Sequence, residues 1–292
     1  MKIEIIQDSY GKSAVRLGKI TRHADKHEFK EIHVNIQLEG DFDIVYTEGV
    51  NKNVLPTDTM KNTIFALAKE HPLTTIEDFG LYLTEYFLSH NPQVSAVTVD
   101  LAQVRWERMM NDTAAEPHTY IGGGNEQQTA KVRRTHEGIA VESGIRGVRI
   151  LKTTKSAFED YIVDKFTTLP PSSDRIMATE MESVWQYQNT QNVDFQLIRD
   201  NVRNYLLKSF ANHHSLSVQH TLYAMGEAVL KNVDEVIEIS LKMPNLHYLL
   251  VNMKPFEMDN KNEVFLASGD AFGYITGTLR RTWNESGGLA RL

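Results

Sequence analysis

Two stretches pair a hydroxyl with a helix start, a combination from which an anion site can be built. In Leu55-Pro56-Thr57-Asp58, Pro56 holds the entry extended and disfavours helix at Leu55. Thr57 is then the expected N-cap, and Asp58 the first residue whose amide N–H points outward. In Ser217-Val218-Gln219 a serine N-cap opens a second helix and adds a side-chain amide able to donate and accept at once. Helix starts attract anions, yet the same two stretches also serve as ordinary caps. Phe158, followed by Thr167-Thr168-Leu169 and Asp174-Arg175, offers an aromatic face and a planar guanidinium on either side of an extended turn. The plainer reading is a core aromatic and a surface ion pair. Asn245-Leu246-His247 is expected on a strand, where alternation puts Asn245 and His247 on one face. Gly11-Lys12-Ser13 imitates the end of a phosphate-binding loop. The glycine needed five positions earlier is Ile6, and the segment reads as a strand, which excludes a nucleotide loop.

The elements that must hold these residues follow from periodicity. Residues 2–7 and 10–20 read as strand, residues 31–38 alternate cleanly, and residues 42–47 read as a strand continuation. The helix after Thr57 carries Ile64, Leu67 and Ala68 on one side and ends at His71-Pro72. A second helix opens at Thr75 with Asp78 three residues on, and Phe79, Tyr82, Leu83, Tyr86 and Phe87 form a core stripe. Residues 94–106 and 128–135 are strands, with Gly122-Gly123-Gly124 expected in a flexible loop or hairpin end. The pattern then repeats. Residues 147–153 and 176–187 are strands joined by an amphipathic connector at 158–166, and helices follow at 195–212 and 218–231. Residues 236–241, 248–252 and 263–279 supply the closing strands.

Two passes of strand, strand, helix, helix, strand, strand call for an α+β protein made of two antiparallel sheets, each backed by a helix pair. Domains are expected at 1–137 and 138–281, with a tail at 282–292. Long alternating strands with helices on one face leave open edges, and closing them by oligomerisation predicts an obligate symmetric oligomer.

With 292 residues, of which 41% are hydrophobic, the chain can bury one large core or two medium ones. A net charge of -7 argues against nucleic acid as a partner. The absence of cysteine excludes disulfides, thiolate catalysis and cysteine-ligated zinc. Charges break the N-terminus too early for a signal peptide, and no apolar run approaches membrane-spanning length. The expected protein is soluble, intracellular and not membrane-bound.

Taken together, Tyr10-Gly11-Lys12, Thr57-Asp58 with Lys61-Asn62-Thr63, Phe158 ahead of Thr167-Thr168-Leu169 and Arg175, Ser217-Val218-Gln219, and Pro244-Asn245-Leu246-His247-Tyr248 resemble the urate oxidase (uricase) family of the tunnelling fold. They lie in family order along nearly the whole chain. The resemblance implies two tandem tunnelling-fold domains per subunit, closing into barrels in a homotetramer whose active sites are shared between subunits. It also implies oxidation of urate by O2 to 5-hydroxyisourate and hydrogen peroxide, with no metal or organic cofactor.

Carried over by residue, the resemblance makes Arg175 and Gln219 the substrate clamp and Phe158 the stacking surface. Backbone N–H groups of Asp58 and Val218 would receive urate oxygens, with Thr57 and Asp58 coming from the partner subunit. Lys12 and Thr57 would be the catalytic pair, extended by His247, while Asn245 would hold O2 and then water. The residue types suit these roles. A guanidinium fork matches two adjacent acceptors, and a primary amide pairs with a neighbouring carbonyl and N–H. A threonine hydroxyl is too weak a base unaided, whereas a lysine desolvated enough to be neutral can draw a proton through it. The sequence pictures that amine on one protomer and the alcohol on its neighbour.

Two alternatives stay open at this stage: another tunnelling-fold enzyme acting on a purine or pterin, and a purine-binding protein without turnover. His23, His27 and His33 form no recognisable metal-ligand set. The terminal Ala290-Arg291-Leu292 loosely resembles a peroxisomal address, against an expected cytoplasmic location.

Overall fold

The computed structural model describes residues 3–269 and 271–282. These divide into two compact units, one formed by residues up to Gly144 together with Thr190–Gln196, the other by Ile145–Asn189 and the residues from Leu197 on.

In the first unit β1 (Tyr10–Arg22), β2 (His27–Gly40), β3 (Val94–Asn111) and β4 (Ala114–Thr135) pair antiparallel in that order. Helices α2 (Thr57–Glu70) and α3 (Ile76–His90) pack on them. Alternation in β2 sends Ile32, Val34, Ile36 and Leu38 to one face, where all four are fully buried. They meet Met60 and Ile64 of α2 and Phe79, Leu83 and Phe87 of α3 in one core cluster. Each such side chain contributes roughly 1.5–3 kcal/mol by leaving water. Gly80 lets α3 settle on the sheet, since a Cβ there would lie 2.7 Å from Val132 Cγ2. The Thr75 cap holds as expected, its hydroxyl accepting the Asp78 N–H at 3.1 Å.

Several expectations change in this unit. Residues 3–9 are not strand. The expected strand at 42–47 is instead α1 (Asp43–Glu48), which buries Phe42 just before it and stops at Gly49 in the left-handed conformation. The triple glycine is not a loop. It lies inside β4, where Gly122 pairs with Trp106 and Gly123 makes room for Arg105, whose Cγ would lie 2.5 Å from a Cβ there.

In the second unit β5 (Ile139–Lys152), which crosses the boundary, is followed by β6 (Met177–Tyr187), α4 (Phe195–Asn212), α5 (Val218–Asn232) and β7 (Val236–Leu246). β8 (Tyr248–Leu250) and β9 (Phe265–Ala267) form a separate small ribbon, and β10 (Gly273–Arg280) lies against β7. The last strands therefore do not pair with each other as a closing hairpin. The connector at 158–166 has no helix or regular strand. α4 buries Ile198, Val202, Leu206 and Phe210, one residue per turn, and α5 buries Leu222, Met225 and Val229. The α+β duplication read from the sequence is present, each unit combining antiparallel strands with a helix pair. The tail from Trp283 onward, including Ala290-Arg291-Leu292, lies outside the described residues.

Candidate active site

The second unit gathers six of the expected site residues around one cavity of about 760 Å³: Phe158, Arg175, Val218, Gln219, Asn245 and His247. Their meeting is arranged by backbone. Ser215, just before α5, accepts the Ala157 N–H at 2.7 Å and donates its own N–H to Lys155 O at 2.9 Å. The Arg175 N–H reaches Ser156 O at 2.7 Å. Phe158 and Ser172 form a two-bond antiparallel bridge at 2.7 and 3.0 Å. The residues carrying the aromatic face and the guanidinium are thus stitched beside the start of α5.

At that start Ser217 is the N-cap, as expected, accepting the His220 N–H at 3.1 Å. Val218 is the first helical residue, so its amide has no acceptor within the helix. Its side chain is buried while Gln219 is exposed.

Arg175 lies over the Phe158 ring, 5.1 Å from guanidinium carbon to centroid. Burial pushes its pKa below the ordinary guanidinium value, and Nε is buried with no hydrogen-bond partner. A guanidinium lining a cavity offers a planar fork suited to an anionic, planar acceptor.

Asn245 sits near the end of β7, opposite Thr179 of β6 and Gly273 of β10, on the parity that buries Ile239, Leu241 and Met243. His247 differs from expectation. β7 stops at Leu246, and His247 falls in the break before β8, so strand alternation is not what places it beside Asn245 on the cavity wall.

Lys12, Thr57 and Asp58 belong to the first unit. The expected cap is shifted by one residue: Pro56 is the N-cap, Thr57 is the first helical residue, and no side chain caps α2. Proline fits this helix start because its carbonyl accepts the Met60 N–H at 3.1 Å while it brings no amide of its own. The Thr57 hydroxyl is thereby not spent on a cap. The Asp58 carboxylate turns to Lys61 and to Asn62 Nδ2, at 3.0 Å from the latter. Lys61 first, and more weakly Lys12, hold that carboxyl below the ordinary aspartate range. Lys12 therefore lies within electrostatic reach of the Asp58 carboxylate of its own chain.

Lys12 is placed by an irregular stretch of β1. Gly11 presses on β2 so closely that a Cβ would fall 1.8 Å from Ile36 O. After Lys12 the register shifts through a bulge, with Ala14 at φ 57 and its N–H donated to Asn35 Oδ1 at 2.8 Å.

Sequence reasoning assigned no role to Tyr10 or Tyr161. The Tyr10 hydroxyl bonds to the backbone of Leu55, two residues before Thr57. Tyr161 stacks on Phe158 with centroids 4.8 Å apart. Nothing local marks the first contact, which spans 45 residues. Among the described residues no cluster of three or more His, Asp or Glu could hold a metal ion, and no helix is long and apolar enough to cross a membrane.

The uricase family model matches residues 8–133 and 141–276. The chain is 40% identical to the uricase of Arthrobacter globiformis over 280 residues, covering 96% of this chain and 91% of that one. It is 36% identical to the uricase of Oryctolagus cuniculus, covering 96% and 95%. The crystal structure of the Arthrobacter globiformis uricase superposes with a TM-score of 0.92 at 39% identity, covering 100% of this chain and 98% of that one. The chain belongs to the uricase family. Its fold is accordingly the tandem tunnelling fold expected from the sequence.

Proposed function

We propose that this chain oxidises urate with O2 and water to 5-hydroxyisourate and hydrogen peroxide, without a cofactor. One observation carries the reading: the Arg175 guanidinium lies by the Phe158 ring in a cavity also lined by Val218, Gln219, Asn245 and His247. A flat, anionic heterocycle satisfies all of these at once. Its ring stacks on Phe158, two adjacent acceptors take the Arg175 fork, and the Gln219 amide pairs with a carbonyl and its neighbouring N–H. The Val218 amide at the α5 mouth receives an oxygen.

Urate gives up two electrons and two protons, O2 takes both pairs to become hydrogen peroxide, and water adds to the oxidised ring. Triplet O2 accepts electrons singly, so the first products are a urate radical and superoxide. Lys12, Thr57 and His247 relay the proton that urate must lose, and Asn245 holds O2 and then water over the ring face away from Phe158. The protein supplies orientation and charge placement while the substrate supplies the redox chemistry. A pterin enzyme of this fold and a purine binder without turnover are less favoured, since the family match runs along the chain and Lys12 and Thr57 are both present.

The chain works as a homotetramer, with Lys12, Thr57 and Asp58 of a second copy completing each site. Supporting this, the loop beside the cavity leaves Ile162, Val163 and Phe166 at 93%, 73% and 77% exposure, an apolar surface that another copy would cover. Incubation with urate after chelation, with and without air, tests the activity. Loss of urate absorbance with stoichiometric peroxide in air alone is expected; a requirement for added metal would overturn the cofactor-free mechanism. Sedimentation at micromolar concentration tests the assembly, and a monomer would refute it.

A further inference from the structure

The segment from Phe158 to Ser172 leaves and returns at one point, closed by the Phe158–Ser172 bridge, and is laced internally. The Asp164 N–H donates to Thr167 Oγ1 at 2.8 Å, and the Phe166 N–H to Asp164 Oδ1 at 2.8 Å. With its ends bridged, it has the form of an Ω-loop. Tyr161 makes two contacts inside it. Its ring lies nearly parallel to Phe158, at 16° and 4.8 Å, and its hydroxyl donates to Leu169 O at 2.5 Å.

The Arg175 guanidinium also lies over the Phe158 ring. Phe158 borders the cavity and Tyr161 does not, which puts Tyr161 on the side of the ring turned away from the cavity. Leu169 is itself part of the cavity wall, whereas Tyr161 is not among its lining residues. Tyr161 can therefore act on a bound molecule only through Phe158 and Leu169.

We propose that Tyr161 is a positioning residue for the substrate: it backs the Phe158 ring from behind and, through Leu169, holds the loop that forms one wall of the cavity. This rests on the reading of the cavity as the urate site. An unbacked Phe158 has rotamer freedom to lose when a planar ligand stacks on it, a cost incurred on binding and carried equally into the transition state. The signature is a raised KM at little-changed kcat.

The test compares wild type with Tyr161→Phe, which keeps the ring and loses the bond to Leu169, and Tyr161→Leu, which loses the flat ring as well. Steady-state urate oxidation is measured alongside anaerobic urate titration, oligomer size and thermal unfolding. Loss of one hydrogen bond predicts KM raised about threefold in the phenylalanine variant, and loss of aromatic pairing as well about tenfold in the leucine variant, with kcat within about twofold of wild type. Wild-type KM in Tyr161→Leu, or a fall in kcat with KM unchanged, overturns the proposal. Should the leucine variant not fold, Tyr161→Phe decides alone, a raised KM supporting the assignment and an unaltered one ending it. A wild-type protein that neither binds nor oxidises urate removes the reading of the site, and the role of Tyr161 with it; normal wild-type turnover with an indifferent Tyr161 removes only the latter.

Discussion

The Tyr10 hydroxyl brackets the backbone of Leu55, accepting its N–H at 2.9 Å and lying 3.2 Å from its carbonyl oxygen as a donor. Tyr10 stands two residues before Lys12, and Leu55 two before Thr57. One phenol thus ties the strand that carries the amine to the turn that delivers the helix mouth, and its ring packs edge-on against the buried Phe42 at 4.8 Å. Burial, ahead of other influences, raises its pKa, so the neutral phenol needed for donation is the favoured form.

Tyr10→Phe should keep the ring packing and leave both Leu55 backbone groups unmatched. We expect a stability loss of about 1–3 kcal/mol, read from urea unfolding, together with reduced kcat as Lys12 and Thr57 lose their common reference. Unchanged stability and kcat would show that the bracket positions nothing.

Lys12→Met removes the amine while retaining the length of the side chain. Turnover should fall at least ~100-fold, in the range of a lost general base, with the assembly and the circular dichroism spectrum intact. A variant within a few-fold of wild type would take Lys12 out of the proton relay.

Arg175→Lys keeps a charge and loses the planar fork. Loss of a charge-assisted hydrogen bond predicts a urate KM raised roughly 10- to 100-fold. The guanidinium is half-buried and rests on Phe158, so the stacking contact weakens as well. An apparent affinity equal to wild type would be incompatible with the clamp.

His71 should make the first unit acid-sensitive. Its Nδ1 accepts the Leu73 N–H at 2.9 Å, and its ring stacks on Tyr82 at 4.9 Å. Burial first, with Lys19 adding and Asp78 opposing, lowers its pKa from the ordinary 6.5. The folded state therefore binds the proton less readily than the unfolded chain. The corresponding stability is full above pH 6.5 and is lost as pH falls from 6.5 toward the lower folded value. His71→Asn, which can offer an acceptor and cannot titrate, should flatten the decline in melting temperature between about pH 7 and 5. An undiminished decline would assign the acid sensitivity elsewhere, His213 being another histidine whose pKa burial lowers.

Much of this architecture was legible because its signals are local. Ile32, Val34, Ile36 and Leu38 alternate, Phe79, Leu83 and Phe87 recur once per turn, and Thr75 and Ser217 announce their helices. Misreadings arose where local preference loses to partners far along the chain. The β-branched run before Gly49 looks like strand, yet it winds into α1. Three glycines look like a loop, yet they lie within β4 at a register shift, Gly122 paired with Trp106 and Gly124 at φ 82.

The same division holds for the site. Resemblance to the uricase family, carried by short motifs in order along the chain, named Lys12, Thr57, Asp58, Phe158, Arg175, Val218, Gln219, Asn245 and His247 as candidates, and their residue types suit those roles. Only tertiary structure decided that Pro56 rather than Thr57 caps α2, that the β1 bulge follows Lys12, and that His247 leaves the strand beside Asn245. It alone put Tyr10 on Leu55 and Tyr161 behind Phe158. Those outcomes depend on bulges, strand ends and contacts between distant residues, whose energies come from packing and hydrogen bonds that no local pattern encodes.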